Sequence, residues 1–195
     1  MDLYQQPFWD ALNRWQPLPP EERRQAETLF KPRRLVKDEF FLMAGDRQET
    51  IAFNLKGVFR YFYVDYEGRE CNKHFVLENE WIVSLTAFID NAPALFSIQA
   101  LEEADILAAP ADAVRRLLEG SPYWQTLYSR LLETNYVLKE KREAQFLMND
   151  AKGRYLAFRD AYPSLSDRIH QHHIASFLGM SSVSLSRIRS KLTRG

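Results

Sequence analysis

Apolar residues recur along this chain in two rhythms, and the change of rhythm divides it. Leu12, Trp15 and Leu18, then Ala26, Leu29 and Phe30, fall at helical spacing, interrupted by Pro17, Pro19 and Pro20 and closed by Pro32. From Arg33 to about Pro110 the period shortens. Runs rich in Phe, Tyr, Val and Ile alternate with turn signals at Ala44-Gly45-Asp46, Lys56-Gly57, Glu67-Gly68-Arg69 and Asp90-Asn91-Ala92-Pro93. Asn54–Val64 and Cys71–Val76 flank the Asp65–Arg69 turn as the two arms of a hairpin. A short helix interrupts near Val83–Ile89, and Phe96–Leu101 and Ala104–Ala108 read as closing strands. Several short strands at this spacing predict a compact antiparallel barrel or sandwich.

After Pro110 the helical period returns. Ala111–Leu118 reads as a short helix, and Ser121-Pro122 opens a long one, with serine as N-cap and proline at the first helical position. No Gly or Pro interrupts it before about Met148. Leu127, Leu131, Leu138 and Gln145, beside Tyr128, Leu132 and Asn135, form a mixed, imperfectly heptad seam. A helix of this length needs burial against its own domain or a second copy, and its apolar surface exceeds what a small barrel covers. A homodimer interface is expected here. Gly153–Tyr162 forms another short helix, stopped by Pro163.

The chain of 195 residues is 46% hydrophobic and 13% aromatic, enough for a packed core and against whole-chain disorder. Its net charge of zero hides an asymmetry: residues 1–138 carry 15 basic against 21 acidic side chains, and residues 139–195 carry 11 against 5. A basic C-terminal end suggests an anionic partner there. The single cysteine, Cys71, excludes an internal disulfide or a cysteine-ligated cluster from this chain alone. With no secretory start and no apolar run near the roughly 20 residues of a membrane span, the expectation is a cytoplasmic protein without membrane contact.

The sharpest local pattern lies in His173–Lys191. Two helices crossing near a right angle need a small residue in the first, and Ala175 supplies it. The turn between them needs a residue tolerant of positive φ, and Gly179 follows four positions later. Ile174, Leu178, Met180, Leu185 and Ile188 fall on the facing sides, and Ser181 is a suitable N-cap for the second helix. This is a helix-turn-helix. Its outward face carries Ser182, Ser184 and Arg187, placed to reach base edges, while Arg189, Lys191, Arg194 and the backbone of Ser181 suit phosphates. His172 and His173 precede the first helix in this reading, as capping or phosphate-facing groups. His170, His172 and His173 lack the cysteine or carboxylate company of a metal site, so no metal and no cofactor are expected. The DNA-binding set is thus Ser181, Ser182, Ser184, Arg187, Arg189 and Lys191, and the partner double-stranded DNA.

The whole layout resembles the Crp/Fnr family of bacterial regulators. Ile174-Ala175-Ser176-Phe177-Leu178-Gly179 followed by Val183–Arg189 is similar to the family's DNA-binding signature. Lys56–Arg60 before the Asp65–Glu70 turn resembles its central hairpin, and Ala100-Leu101-Glu102 with Ile106 and Leu107 its closing strands. The resemblance implies an α+β chain with three parts. Residues 1–120 form an N-terminal antiparallel β-barrel, cyclic-nucleotide-binding-like and of double-stranded β-helix type. Residues 121–149 hold the long dimerisation helix, and residues 150–195 an all-α helix-turn-helix domain.

Two departures follow. Nucleotide-binding members carry a Gly-Glu pair in the short-helix region, then an Arg-Ser or Arg-Thr pair that meets the cyclic phosphate. Here Ser84 stands near the glutamate place and Ala94-Leu95 near the arginine place, and no arginine lies between Lys73 and Arg115. A buried phosphate without a facing cation is costly, so the barrel is expected not to bind cyclic AMP in the usual way. An unknown small-molecule effector is left to a pocket of Trp81, Val83, Ser84, Leu85, Ala94 and Leu95. The second departure is that too few residues flank the motif for a full β-wing. Where the family often has an acidic residue, Val183 stands, so the operator does not carry over. The barrel region holds only His74, against a cupin-type enzyme, and no catalytic constellation stands out. The reading is a regulator and not an enzyme; the alternative is a small-molecule sensor module with a weak or vestigial DNA-binding end.

Overall fold

The computed structural model describes residues 5–193. Its helices are α1 (Gln6–Asn13), α2 (Pro20–Leu29), α3 (Leu85–Asp90), α4 (Ala111–Gly120), α5 (Pro122–Met148), α6 (Ala151–Ala161), α7 (Gln171–Phe177) and α8 (Ser182–Thr193). Its strands are β1 (Lys31–Leu35), β2 (Phe40–Leu42), β3 (Thr50–Lys56), β4 (Phe59–Val64), β5 (Glu70–Val76), β6 (Trp81–Ile82), β7 (Ser97–Ala100) and β8 (Ala104–Pro110). They form two compact units. One runs to Tyr63 and resumes from Phe75 to Glu133; the other joins Val64–His74 to the chain from Thr134 onward.

The strands form two four-stranded sheets, ordered β1-β8-β3-β6 and β2-β7-β4-β5. The antiparallel register places Phe53 opposite Leu107 and Tyr61 opposite Ile98. Alternation along the strands then sorts side chains into two cores. Phe59, Tyr61, Ile82, Phe96, Ile98 and Ile106 pack together in one. Phe53, Ile51 and Leu107 face the other, where Phe8, Trp9 and Trp124 from the helices cover the sheet. The turn into β4 depends on Gly57, at φ +108°, where an added Cβ would lie 2.7 Å from the Cβ of Ala104.

Pro122 opens α5, but the Ser121 hydroxyl, instead of capping the helix, donates to the carboxylate of Glu22. Trp124 Nε1 donates to the other oxygen of that carboxylate at 2.7 Å. The expected seam along α5 also divides. Leu127 is buried in the helix's own core, with Tyr128 and Leu131 packed against it. From Thr134 to the end of α5 every residue except half-buried Arg142 is exposed.

The second unit contains the rest of α5, α6, a 3-10 turn over Leu165–Asp167, α7, α8 and the hairpin tip. Asp150 caps α6 by accepting the Gly153 N–H at 2.7 Å. Between residues 150 and 193 no strand occurs among the described residues, so the helix-turn-helix carries no wing of its own there. Tyr155, Phe158, Leu165, Ile174, Phe177 and Leu185 form its buried interior.

Candidate nucleic-acid interface

The geometry of the α7–α8 pair follows from the residues that suggested it. Ala175 is 2% exposed, where a larger side chain would hold the second helix off. Gly179 adopts φ +63°, and Met180 N–H donates to the Ala175 carbonyl at 3.0 Å across the turn. Ile174 and Leu185 are fully buried, Leu178 is buried, and Met180 and Ile188 are half-buried. Ser181 Oγ accepts the Ser184 N–H at 3.2 Å, the N-cap bond of α8.

On α8, Ser182, Arg187 and Lys191 are exposed, while Ser184 and Arg189 are half-buried at the flanks. Ser184 Oγ lies 2.9 Å from Ser181 Oγ, so this hydroxyl belongs to the cap as much as to the outward face. Arg194 lies outside the described residues. Three further groups join the surface. Val183, 60% exposed, sits on the outward face of the first turn. Gln171, Ser186, Arg189, Ser190 and Thr193 line an open groove of about 360 Å³. Ser186, Ser190 and Thr193 share one face of α8 by helical spacing, a legible signal that the basic residues overshadowed; Gln171 had none.

The histidines depart from expectation. His172 and His173 lie within α7, whose N-cap is His170. His173 is buried, 7% exposed, and its ring lies tilted at 46° to that of His172 with the centroids 4.0 Å apart. Its burial follows from position: two residues before Ala175 and one before Ile174, it shares the edge of the inward face. Among the described residues no group of three His, Cys, Asp or Glu side chains is arranged to hold a metal ion.

Beside α7 lies a concentration of positive groups from the hairpin and α5. Burial, with Lys139 and Arg142 nearby, pulls the Lys73 ammonium down to about 8. Burial lowers His74 to about 4, reinforced by Lys73 and Arg142. Arg142 itself falls to about 10, chiefly through burial. At the hairpin tip the Asp65 carboxylate accepts the N–H groups of Glu67 and Arg69, each at 2.9 Å. The Arg69 bond, with its guanidinium, holds that carboxyl below its ordinary range.

The six residues assigned to an effector pocket do not share one lining. Trp81 and Val83 pack against the core beneath α1 and α2, with Trp81 edge-on to Phe53 at 5.3 Å. Leu95 is 65% exposed, whereas Ala94 is buried in the other core and Ser84 is fully buried. The reason is the strand period: β6 is two residues long, and Trp81 and Ile82 point to opposite faces. Within the interior core Tyr61 stacks on Phe96 at 5.2 Å and its hydroxyl accepts the Val83 N–H at 2.9 Å. Burial raises that phenol well above its ordinary range. Ser84 Oγ is buried without a hydrogen-bond partner.

A β-sheet unit, a long helix with a bare second half and a C-terminal helix-turn-helix together make up the architecture of the chain. More narrowly, residues 32–121 match the family model of the cyclic nucleotide-binding domain, and the chain has the fold of the Crp/Fnr regulators. A solved Crp/Fnr-family protein from Eubacterium rectale superposes with a TM-score of 0.77 at 15% identity, covering 95% of this chain and 89% of that one. FixK2 of Bradyrhizobium japonicum gives 0.73 at 14% identity, covering 85% of each chain. CLP of Xanthomonas campestris, a c-di-GMP-responsive global regulator, gives 0.72 at 13%, covering 88% and 90%. No curated protein matches the sequence. Among the described residues no helix is long and apolar enough to cross a membrane.

Proposed function

We propose that this protein is a dimeric, sequence-specific DNA-binding transcription regulator of Crp/Fnr type whose barrel does not bind cyclic AMP. The observation that carries the reading is the α7–α8 pair. Its apolar residues other than Val183 lie on the facing sides, and its free face offers hydroxyls and cations on a helix that fits a major groove. Arg187 is the candidate for bidentate guanine contact. Ser182 and Ser184 flank it, and Val183 suits a thymine methyl. Arg189, Lys191 and the α8 N-terminus at Ser181 hold phosphates. The exposed half of α5 supplies the dimer contact, with Tyr136, Val137 and Leu138 at 69%, 47% and 53% exposure.

Against cyclic AMP stands the interior of the barrel. Tyr61 and Phe96 occupy part of it as a stacked pair, and the chain between Lys73 and Arg115 contains no arginine or lysine to meet a buried phosphate. A reducing cytoplasm, where DNA and a free exposed Cys71 coexist, is the setting this implies.

Selection from a random duplex pool tests the reading. The expected product is a pseudo-palindrome with half-sites about one helical turn (~34 Å) apart, bound less tightly as salt rises. Arg187→Ala removes base preference, with a loss on the order of 1–3 kcal/mol at one position. Lys191→Ala weakens binding to all sequences alike. A pool that enriches nothing, together with elution as a monomer, refutes the regulator and leaves a sensor module. Calorimetric titration with cyclic AMP and cyclic GMP tests the barrel, and micromolar affinity for either overturns the reading of Tyr61, Ser84 and Ala94.

A further inference from the structure

The first helix of the DNA-binding pair is held from outside by the tip of the β4–β5 hairpin. Ser176, on α7, donates its hydroxyl to the Glu70 carbonyl at 2.8 Å and accepts the Asn72 N–H at 2.9 Å. One serine thus satisfies both the donor and the acceptor that an additional strand would meet on this edge of β5. Asn72, 4% exposed, returns the contact by donating Nδ2 to the His173 carbonyl at 3.0 Å. Of these bonds the Ser176–Glu70 one is exposed and the Asn72–Ser176 one part-buried, while the Asn72–His173 bond is buried, so its loss leaves a desolvated carbonyl behind.

The other end of α7 is held as well. Arg142 of α5 donates Nη2 to the Phe177 carbonyl at 3.0 Å and to the Asn72 carbonyl at 3.5 Å, touching helix and hairpin together. Its guanidinium lies 3.8 Å over the Phe177 ring. Arg154 of α6 donates Nε to the Leu178 carbonyl at 3.0 Å. Two cations therefore sit on the last carbonyls of α7, where the helix dipole favours positive charge. Phe146 lies beneath both guanidiniums, 4.9 and 5.3 Å away. None of Asn72, Ser176 or Arg142 is on the outward face of α8.

We propose that Asn72, Ser176 and Arg142 are positioning residues for DNA reading. The hairpin is the lever through which strands β4 and β5 bear on α7, and so on the angle at which α8 is presented. This rests on the DNA-binding reading above. Coupling of this kind is reciprocal: whatever the hairpin does for α7, α7 does for the hairpin.

The test uses the full-length protein and two readouts. Hydrogen exchange reports the protection of α7 amides and of the hairpin amides 65–74. Binding to the duplex selected by the wild type reports function. Ser176→Ala is expected to raise exchange on both sides of the contact on the order of tenfold, without change at β3 and β8. Asn72→Ala does the same from the hairpin side. Ser176→Ala removes the bonds to Glu70 and to the Asn72 N–H and Asn72→Ala the bond to His173, so the double variant is expected to be looser than either single one. Both single variants weaken duplex binding severalfold, and Ser176→Thr, which keeps the hydroxyl, restores it. Unchanged exchange in α7 and the hairpin overturns the proposal. So does loosened exchange with undiminished DNA affinity, which makes the contact structural only, or a threonine variant as weak as the alanine one. If the wild type binds no duplex, the DNA reading fails, while exchange still decides whether hairpin and helix are coupled.

Discussion

Replacing Gly179 with alanine separates two reasons for a glycine in the turn between the reading helices. The first is conformational. At φ +63° an L-residue brings Cβ against its own following carbonyl, at about 1–2 kcal/mol. The second is tertiary. The new Cβ would lie 2.9 Å from Cε1 of Phe146, closer than real contacts allow, and Phe146 is clasped by the guanidiniums of Arg142 and Arg154. Moving that ring adds roughly 1–2 kcal/mol, at the low end for overpacking. The total is about 2–4 kcal/mol, which lowers the melting temperature on the order of 5–10 °C for a chain of this size.

Gly68, in the same unit, supplies the control. At φ +78° with nothing within 4 Å of a built Cβ, Gly68→Ala pays the first cost only. Urea unfolding of both variants, repeated in a Phe146→Ala background, isolates the second. Gly179→Ala should exceed Gly68→Ala in the wild type by about 1–2 kcal/mol and match it once Phe146 is gone. Equal costs in the wild type, or a difference that survives Phe146→Ala, would refute the role given to the ring.

Gly57→Ala should be worse than any of these, because its Cβ would meet backbone: Ala104 Cα at 2.9 Å and the Glu103 carbonyl at 3.0 Å. Loss of soluble, cooperatively unfolding protein is expected, against a mild effect for Gly45→Ala, where nothing lies within 4 Å. Acid should destabilise the hairpin region through His74. Its folded value of about 4 lies below the ordinary 6.5, so its contribution is complete above pH 6.5 and is lost as pH falls toward 4. The ceiling is ~3 kcal/mol and the half-buried ring makes ~1–2 kcal/mol realistic; a His74→Gln variant whose stability slopes as steeply between pH 6.5 and 4 refutes it. Leu138→Asp should convert dimer to monomer in light scattering and cut duplex affinity by at least about 100-fold. Leu127→Ala, on the same helix but in its own core, should instead cost about 2–5 kcal/mol of folding stability and leave assembly intact.

The helix-turn-helix and the strand region were readable because their signals are local. Ala175, Gly179, Ser181 and the apolar positions around them lie within one short stretch, and each has a steric or hydrogen-bonding job settled by near neighbours. The Asp65–Arg69 turn is equally self-contained. What escaped the sequence is set by distant chain. Nothing near Ser121 marks Glu22 as its partner, and nothing in α5 tells buried Leu127 from exposed Leu138, since the first belongs to the core that includes Phe8 and Trp124 and the second faces solvent. Trp81 shows the limit of periodicity: in a two-residue strand alternation has no length over which to declare a face. The hairpin contact is the extreme case, because Ser176 and Asn72 are 104 residues apart and neither residue type signals pairing at that range.

That long-range contact also bears on how so small a reading domain is supported. Residues 150–193 are close to the size below which a chain needs help beyond its own core, and they bring no wing. Their interior is completed by groups from elsewhere in the second unit: Phe146 beneath the Gly179 turn, Arg142 across the end of α7, and the edge of β5 along its side. In a winged domain a strand flanking the helices would meet such needs locally. Here the strand edge on α7 among these contacts is that of β5, which runs on into the first unit at Phe75. On the proposed reading, a shift of β4 or β5 would reach α7 through Asn72 while Tyr61 stays stacked on Phe96 in the interior.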